Sequence, residues 1–380
     1  MRIAQVVPLQ IAVPPHAYGG TERVVHNLTE GLVRLGHDVT LFATGDSKTS
    51  ARLVPMLDHA LRFDPEHEAN AYHIAMLEEI YTRYASEFDI IHSHLDYLTL
   101  PFLRLTQTPT VLTLHGRLDK PEWDRVFHQY PDANYVSISD AQRRYLPDLN
   151  WVATVHHGVD VRDFKFYPER GDYLAFVGRM SPEKQPDVAI EVAKRTGLKL
   201  KIAAKVDHKE EPYFKQEILP LLDHPLIEWL GEVDERQKRE LMGNALALLL
   251  PINWPEPFGM VFIEALACGT PVVTCPIGSV PELLKPGLTG YHGRTVEELA
   301  DAVRRVKHIS RRACRAYAEK RFDRSRMARD YMGVYTKLVA EREALPAGIL
   351  AADDLLGAHP SVAGLPASGS RTETAERIAL

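Results

Sequence analysis

The sequence has few cysteines and no long apolar run, and these two absences exclude several classes of protein. Its 380 residues include only Cys268, Cys275 and Cys314, without a CxxC pair or zinc-ligand spacing. We therefore expect unbridged thiols in a reducing compartment. No stretch approaches ~20 consecutive apolar residues, and the first residues do not have the pattern of a signal peptide. These features predict a cytoplasmic protein without a membrane-spanning helix.

Basic charge and cofactor motifs are also lacking. The net charge is −6, which argues against nucleic acid as the main partner. No GxGxxG follows the first strand or the strand near Tyr173, so a nicotinamide-dependent dehydrogenase is disfavoured. The run His92-Ser93-His94 resembles a metal site, but no third ligand follows at a recognisable spacing. We expect neither a bound metal nor a cofactor.

Apolar runs alternate with amphipathic segments in two series, which predicts an α/β fold with two parallel sheets. The predicted strands are 3–7, 39–43, 90–94, 110–115 and 135–139, then 173–178, 199–206, 227–230, 246–251 and 271–274. We predict two Rossmann-like domains, as the chain length also suggests. The expected parts are an N-terminal domain over 1–165, a C-terminal domain over 166–318, a crossover helix over 319–342 and a disordered tail over 343–380.

Residues 256–273, EPFGMVFIEALACGTPVV, combine two carboxylates with an anion site. Pro257 keeps Glu256 in a loop, and a helix over 260–268 is expected to end at Gly269. Glu264 then lies in an apolar helix, where an unpaired carboxylate costs on the order of several kcal/mol. Free amides at the helix start suit a phosphate. The unit fits a nucleotide-sugar, and an ion pair is the alternative role for Glu264.

Two cations follow the first strand of the second domain, in the sequence FVGRMSPEKQPD. Ligands bind at the carboxyl ends of parallel strands, and Arg179 lies at such an end with Lys184 beginning the next helix. Both side chains can converge on a pyrophosphate there. Solvated surface charges are the alternative, but the neighbouring glutamate unit favours the phosphate interpretation.

Together, GRMSPEK and EPFGMVFIEALACGTPVV resemble the motifs of retaining nucleotide-sugar glycosyltransferases with the GT-B fold, in the large family 4 (glycosyl transferases group 1). In that family two glutamates separated by seven residues follow a G-R-x(4)-K segment, and here they are Glu256 and Glu264. The segments YGGTERVVHNLTEGLVRLGHDVTLFAT, TLHGR and HHGVD support the resemblance, which covers roughly residues 1–340. It implies two Rossmann-like domains facing across a cleft, with a C-terminal crossover helix.

The resemblance assigns roles to residues on the donor side. It implies that Glu264 binds the ribose hydroxyls and Glu256 the transferred sugar, while Arg179 and Lys184 stabilise the departing pyrophosphate together with backbone amides. A histidine at the position of His115 lies beside the transferred sugar in this family. The implied catalytic set is Glu256, Arg179, Lys184 and His115, and the implied donor-binding set is Glu264, Phe258, Gly259, Met260, Gly178 and Gly20.

The first domain is expected to supply the acceptor side. Gly19 and Gly20 allow a ligand to approach the backbone closely, and Thr21 is a plausible cap for the following helix. A plain turn before a helix is the alternative for these residues. The acceptor-side candidates are Gly19, Thr21, Asp96, Arg117, Ser139 and Arg143.

These inferences predict a retaining transfer of a hexose from a nucleoside diphosphate sugar. Uridine and glucose are chosen because they are common, and the sequence names neither an acceptor nor an oligomeric state. The resemblance favours same-face attack, with the departing phosphate helping to take the acceptor's proton. Alternatives are an epimerase of the same fold, for which no dedicated acid–base set is evident, and a non-catalytic nucleotide-sugar-binding protein.

The basic segment 304–330 has two interpretations. It could bind an anionic membrane surface or an anionic acceptor. Solvated helix faces are the favoured interpretation, because runs of charge are usually exposed.

Overall fold

The computed structural model describes residues 1–16, 19–61 and 68–344. The tail predicted over 343–380 therefore lies outside the described residues, apart from its first two. All sheet pairings within the described residues are parallel, and they form one seven-stranded and one six-stranded sheet. The predicted α/β class with two parallel sheets is confirmed.

The first sheet belongs to the N-terminal domain. Its strands are β1 (Arg2–Val6), β2 (Asp38–Thr44), β3 (Arg52–Leu57), β4 (Ile90–Ser93), β5 (Thr110–Thr113), β6 (Asn134–Ser137) and β7 (Trp151–Thr154), in the order β3-β2-β1-β4-β5-β6-β7. The helices are α1 (Gly20–Arg34), α2 (Ala69–Glu79), α3 (Pro121–Phe127) and α4 (Asp140–Arg143). The central strands β1, β4 and β5 are almost entirely buried, as expected for a parallel sheet covered on both faces.

The second sheet repeats this plan with fewer strands. Its strands are β8 (Tyr173–Arg179), β9 (Lys199–Lys205), β10 (Ile227–Gly231), β11 (Ala247–Leu250), β12 (Val272–Thr274) and β13 (Gly290–His292), in the order β10-β9-β8-β11-β12-β13. The helices are α5 (Pro186–Thr196), α6 (Glu211–Tyr213), α7 (Glu235–Gly243), α8 (Met260–Cys268), α9 (Val280–Leu283) and α10 (Val296–Arg305). Two longer helices follow, α11 (Arg311–Phe322) and α12 (Arg324–Glu343).

Shorter helical segments complete the fold. Ile80–Tyr84 and Phe214–Ile218 continue α2 and α6 with π-helical geometry. The described 3-10 segments are Ala85–Glu87, Asp96–Leu105, Val161–Asp163, His208–Glu210, Leu219–Leu221 and Val306–His308.

Strand order reverses between β1 and β4 in the first sheet and between β8 and β11 in the second. Open α/β sheets bind ligands at such reversal points, in the crevice outside the carboxyl ends of the strands. The loops β1–α1, β8–α5 and β11–α8 all begin at these ends. The topology therefore brings three of the predicted motifs to the two crevices.

The C-terminal end of the described chain returns to the first domain. Met327, Tyr331 and Tyr335 of α12 are buried in one apolar cluster with Ile3 and Leu28 of the first domain. One helix was predicted from residue 319, but the structure has two, and this boundary was wrong. The backbone leaves helical geometry at Asp323, because this segment pairs with the linker between the domains.

The basic segment is a structural part of the fold, and the prediction of solvated helix faces is wrong for five of its arginines. Each donates to backbone carbonyls or to a carboxylate inside the fold: Arg311, Arg315, Arg321, Arg324 and Arg326. Arg311 and Arg324 are buried. The hydrogen bonds and the ion pair of these five arginines therefore hold the second domain, the linker and α12 together.

Candidate active site

A cavity of about 620 Å³ lies between the two domains at the reversal points of both sheets. Its walls contain every predicted catalytic and donor-binding residue, together with Gly19, Thr21 and Arg117. The first domain contributes residues near 19–24, 115–117 and 157, and the second contributes residues near 177–184, 203–205, 232–238 and 254–264. The sequence motifs thus converge on one site.

Glu256 lies in the loop after β11 and is held by two partners. Its carboxylate forms an ion pair with Nζ of Lys184 and accepts a hydrogen bond from Nε1 of Trp254 at 3.2 Å. Lys184 Nζ also lies 4.9 Å from the centre of the Trp254 ring. Because these contacts fix the carboxylate at the cavity wall, it can accept hydrogen bonds from hydroxyl groups in a defined direction.

Arg179 ends β8 and lines the cavity with its guanidinium only partly buried. It pairs with Glu183 at 3.2 Å and lies 3.9 Å from Asp207, and 22% of its side chain is exposed. Both neighbouring carboxylates lie in the loops that follow β8 and β9. These contacts leave the side chain within the cavity wall, where an entering phosphate can reach it.

The N-terminus of α8 provides an anion site made of backbone. Gly259 is its N-cap, with φ of 89°. Because glycine has no side chain, the first amides of the helix are not capped. A Cβ at this position would lie 2.6 Å from the ring of Phe262, so only glycine fits. Phe258, Gly259 and Met260 all line the cavity. The first amides of the helix are therefore available to a phosphate.

Glu264 lies one turn into α8 and is 3% exposed. Its carboxylate lies 3.0 Å from Nζ of Lys238. Burial alone would raise the pKa of Glu264, but Lys238 and the nearby Arg23 and Arg239 together lower it. The group therefore stays ionised and able to accept hydrogen bonds. The ion pair considered as an alternative role is present, and the residue also lines the cavity.

The tautomer of His115 follows from its buried partners. Gln5 donates through Nε2 to the Tyr335 hydroxyl at 3.2 Å and presents Oε1 to His94 Nε2 at 2.9 Å. An amide oxygen only accepts, so His94 carries its proton on Nε2 and its Nδ1 is an acceptor. His115 Nε2 therefore donates to that Nδ1 at 2.8 Å. The unprotonated nitrogen of His115 is consequently Nδ1.

His115 is neutral and has an unused acceptor. Burial lowers its pKa to about 3. Its Nδ1 is buried and has no hydrogen-bond partner among the described residues, although the residue lines the cavity. An unpaired buried acceptor is costly, and a ligand hydroxyl could satisfy it.

Several cavity residues were not predicted. His157 stacks on His115 with 5.3 Å between ring centres, and it also packs on Phe258. Lys205, Lys238 and Glu235 join it in the cavity wall. The segment HHGVD supported the family resemblance, but the ring stacking of His157 depends on tertiary contacts that no local pattern indicates.

Ion pairs cross the cleft between the domains. Arg23 of α1 lies 2.8 Å from Glu235 of α7, and Arg117 lies 2.8 Å from Glu183. Ser139 adds a buried hydrogen bond from its hydroxyl to the Pro257 carbonyl at 2.7 Å. These contacts hold the two cavity walls together.

Three acceptor-side candidates are not brought to this cavity. Ser139 caps α4 and bonds to the second domain, while Arg143 donates to Thr154 and lies against Trp151. Asp96 lies behind His115, and its carboxylate accepts from the His115 backbone amide at 3.4 Å. None of the three lines the cavity, so we leave them out of the proposed contact set.

Thr21 lines the cavity but does not cap α1 as predicted. The N-cap is Gly19, so no side chain caps the helix. A Cβ on Gly19 would lie 2.7 Å from Pro15 in the same connection between β1 and α1, which excludes a side chain there. The prediction of a threonine cap was wrong because the N-cap lies two residues earlier than expected, which places Thr21 inside the first turn of the helix.

The described residues contain no group of three or more His, Cys, Asp or Glu side chains placed to hold a metal ion. His92 and His94 each use both ring nitrogens in hydrogen bonds, to residues of the first domain and to Tyr335 of α12. All three cysteines are buried thiols. Of the helices in the described ranges, none is long and apolar enough to cross a bilayer.

Comparisons with known proteins identify the family. Residues 161–321 match the family described as glycosyl transferases group 1, and residues 18–163 match glycosyltransferase family 4. A glycogen synthase of Mycobacterium tuberculosis is 28% identical over 354 residues, covering 77% of this chain and 83% of the relative. A phosphatidyl-myo-inositol mannosyltransferase of Mycolicibacterium smegmatis is 26% identical over 325 residues, covering 76% and 80%.

Solved structures of other proteins share this fold. The Anabaena protein HepE, solved in complex with UDP and glucose, superimposes with a TM-score of 0.67. It shares 18% sequence identity, and the comparison covers 89% of this chain and 100% of that one. With both family models matched and a GT-B architecture in the structure, the chain belongs to the family 4 (group 1) glycosyltransferases.

Proposed function

We propose that this protein is a retaining glycosyltransferase that transfers a hexose from a nucleoside diphosphate sugar, with UDP-glucose as the donor. One observation carries the proposal. Glu256 and Glu264, both buried, flank the open N-terminus of α8 in a single cavity that Arg179 and Lys184 also line. A phosphate-binding amide cluster between two hydroxyl-binding carboxylates matches the order of groups in a nucleotide-sugar.

The donor fits this order from one end to the other. Glu264 accepts hydrogen bonds from the ribose hydroxyls, and the first amides of α8 together with Arg179 hold the diphosphate. Glu256 accepts hydrogen bonds from hydroxyls of the transferred hexose, and the ring of that hexose then lies beside His115. The backbone near Glu232 is the proposed contact of the base. The UDP and glucose bound in the Anabaena structure support the choice of donor.

Charge stabilisation of the leaving group is the main catalytic contribution in this arrangement. As the bond from the sugar C1 to the diphosphate oxygen breaks, negative charge grows on the diphosphate. Arg179, Lys184 and the first amides of α8 are positioned to stabilise it before the reaction begins. Such preorganised donors are commonly the largest single contribution to catalysis.

Retention follows most simply from same-face attack. Each of the two buried carboxylates is already paired with a lysine, Glu256 with Lys184 and Glu264 with Lys238, which disfavours either as a covalent nucleophile. In the proposed step the acceptor oxygen bonds to C1 while the C1–diphosphate bond breaks. The hydroxyl proton passes to the departing diphosphate, so the products are a glycosylated acceptor and UDP.

His115 contributes recognition of the transferred sugar. Its unprotonated Nδ1 is an acceptor for one sugar hydroxyl, and its low pKa keeps it neutral across the physiological range. A neutral acceptor can bind a hydroxyl without attracting the diphosphate. This residue therefore helps to place the hexose and not the nucleotide.

Calorimetric titration tests the proposal by separating the nucleotide from the sugar. We expect UDP and UDP-glucose to bind the purified protein, and Glu264→Gln to weaken UDP binding by about tenfold or more, the value of a charged hydrogen bond. Glu256→Gln should keep the UDP affinity and lose turnover of UDP-glucose, followed as UDP release. Glu341→Gln, an exposed change on α12, is the matched control.

The titration also separates the alternatives. Unchanged UDP affinity in a folded Glu264→Gln variant would contradict the donor assignment. Conversion of the donor to an isomeric nucleotide-sugar would identify an epimerase. Tight donor binding without any release of UDP, either by transfer of the hexose or by hydrolysis of the donor, would identify a binding protein. Running GDP- and ADP-hexoses beside UDP-glucose tests the base and the sugar.

A further inference from the structure

A second cavity, of about 400 Å³, lies next to the donor cavity and between the same two domains. Its first-domain wall comes from residues 117–119, 141–142 and 144–145, and its second-domain wall from 255–257, 276–278 and 294. It shares Arg117, Glu256 and Pro257 with the donor cavity. The two cavities therefore meet at the carboxylate proposed to hold the transferred hexose.

The acidic groups of this second cavity are already neutralised. Asp119 forms a two-pronged ion pair with Arg117, at 2.9 Å from Nε and 2.7 Å from the second nitrogen. Glu256 is paired with Lys184. Neither carboxylate is left to balance another cation in the cavity wall.

Two arginines of this cavity lack such partners. Arg144 follows α4 and Arg294 follows β13, and both are exposed. Neither guanidinium makes an ion pair or hydrogen bond to any part of the chain that the structure describes. Tyr145, which is 42% exposed, adds an aromatic side chain beside Arg144 in the cavity wall. The second cavity thus combines uncompensated positive charge with a surface on which a sugar ring can pack.

We propose that this second cavity is the acceptor subsite and that it takes an acceptor carrying a phosphate or carboxylate group. This inference rests on the proposed function. Arg144 and Arg294 bind the anionic group, because guanidinium offers paired donors that match phosphate and carboxylate oxygens. A hydroxyl of the same acceptor then reaches the hexose at Glu256, where the cavities meet. The transfer step is the one given above, with the acceptor oxygen as nucleophile.

The anionic group comes from one of two sources with the same chemistry. It belongs to a soluble phosphorylated or carboxylated metabolite, or to the headgroup of an anionic lipid. Both present a phosphate or carboxylate to the two arginines, so the subsite is defined by its charge, and separate binding measurements distinguish the sources.

The test uses the full chain saturated with UDP, so that the phosphate site of the donor is already filled. Calorimetric titration with inorganic phosphate and with glycerol 3-phosphate is compared with titration with glycerol. We expect both anions to bind and glycerol not to bind. The double variant Arg144→Gln/Arg294→Gln should lower anion affinity at least tenfold, because each charged hydrogen bond contributes strongly.

A matched control and a lipid arm complete the design. Arg312→Gln removes an exposed arginine of α11 outside both cavities and should leave anion binding unchanged. Co-sedimentation with phosphatidylglycerol vesicles, against phosphatidylcholine vesicles, tests the lipid source. Vesicle binding that the double variant loses would support the subsite with a lipid acceptor, and binding of the soluble anions alone would support it with a metabolite.

Two outcomes would overturn the inference: no binding of any anion or anionic vesicle, or equal affinity in the wild type and the double variant. Hydrolysis of UDP-glucose and binding of UDP are measured in the same preparations. If these persist at wild-type values while the anions fail to bind, the inference fails and the proposed function stands. If the wild type does not bind UDP, both are overturned.

Discussion

His115 Nε2 lies 2.8 Å from His94 Nδ1, and this hydrogen bond connects the cavity wall to the interior of the first domain. His94 is in turn bonded to Gln5, and Gln5 to Tyr335 of α12. Desolvation by burial lowers the pKa of His94 well below its usual value, so the network consists of neutral groups. One amide orientation at Gln5 therefore determines which nitrogen of His115 accepts a hydrogen bond from the ligand.

We predict that His94→Leu lowers turnover of the donor by about three- to tenfold, the value of one neutral hydrogen bond, and leaves UDP affinity unchanged. Without its partner, His115 can adopt either tautomer, and only one accepts the sugar hydroxyl. The nitrogen-15 chemical shifts of His115 report this directly. They should show one tautomer in the wild type and a mixture in the variant.

Ser93→Ala is the control for packing damage near this network. It removes a buried hydroxyl next to His94 whose hydrogen bonds go to Thr99 and to the Leu95 amide, so the bonds from Gln5 to His94 and from His94 to His115 stay available. We expect it to retain the His115 tautomer and most of the turnover. Equal losses in both variants, with unchanged nitrogen shifts, would show that the effect is structural and that His94 does not position His115.

Asp96 gives the protein a specific dependence of stability on pH. Burial raises its pKa to about 7, while the backbone amide of His115 acts in the opposite direction. In the unfolded chain the group ionises near pH 4. Between about pH 4 and pH 7 the folded state therefore binds more protons, so the Asp96 contribution to stability falls as the pH rises and is constant above that range.

We predict that Asp96→Asn removes this slope. Residue 96 has φ of 45°, a conformation that asparagine tolerates, so the backbone should persist. Urea unfolding at pH 5, 6, 7 and 8 measures the difference between wild type and variant. The free energy of unfolding of the variant, relative to that of the wild type, should increase by about 1 kcal/mol per pH unit up to pH 7. A difference independent of pH would contradict the raised pKa.

Arg311 stabilises the second domain through hydrogen bonds to backbone. It is 4% exposed, and it donates to the carbonyls of Tyr167 at 2.6 Å and Ala245 at 2.8 Å and to the Thr270 hydroxyl at 2.7 Å. Arg311→Met would leave these buried acceptors unsatisfied, at about 1–3 kcal/mol each.

We therefore expect Arg311→Met to lower the free energy of unfolding by about 3 kcal/mol or more, measured by urea denaturation. Its exposed neighbour offers the matched control, because Arg312→Met should change stability by no more than about 0.5 kcal/mol. A loss below about 1 kcal/mol at residue 311 would mean that water replaces the guanidinium at these carbonyls.

The best sequence predictions came where backbone chemistry marks both ends of an element. The α8 helix was predicted residue for residue, because a loop glycine precedes it and Gly269, with φ of 87°, ends it. The strands β3, β7 and β13 were missed. All three are edge strands that are partly exposed. Pro55 interrupts the apolar run of β3, and β7 and β13 have only four and three residues, so none of them has the pattern of a buried central strand.

Side-chain networks were the least predictable part of the candidate site. Glu256 and Glu264 were found because a carboxylate beside a proline or within an apolar helix is conspicuous in a sequence. The pairing of Glu264 with Lys238 depends on how α7 packs on α8, and the contact of His115 with His94 on how β4 lies beside β5. Local patterns contain no information on either distance.

The placement of α12 determines the order in which the chain can mature during synthesis. The core of the first domain includes Met327, Tyr331 and Tyr335, which are translated after the whole second domain. Domains usually fold as they leave the ribosome, N-terminal first. Here the core of the N-terminal domain is completed by the last helix of the described chain. Until that helix is synthesised, the nascent domain exposes apolar surface, and this is the state that chaperones would meet.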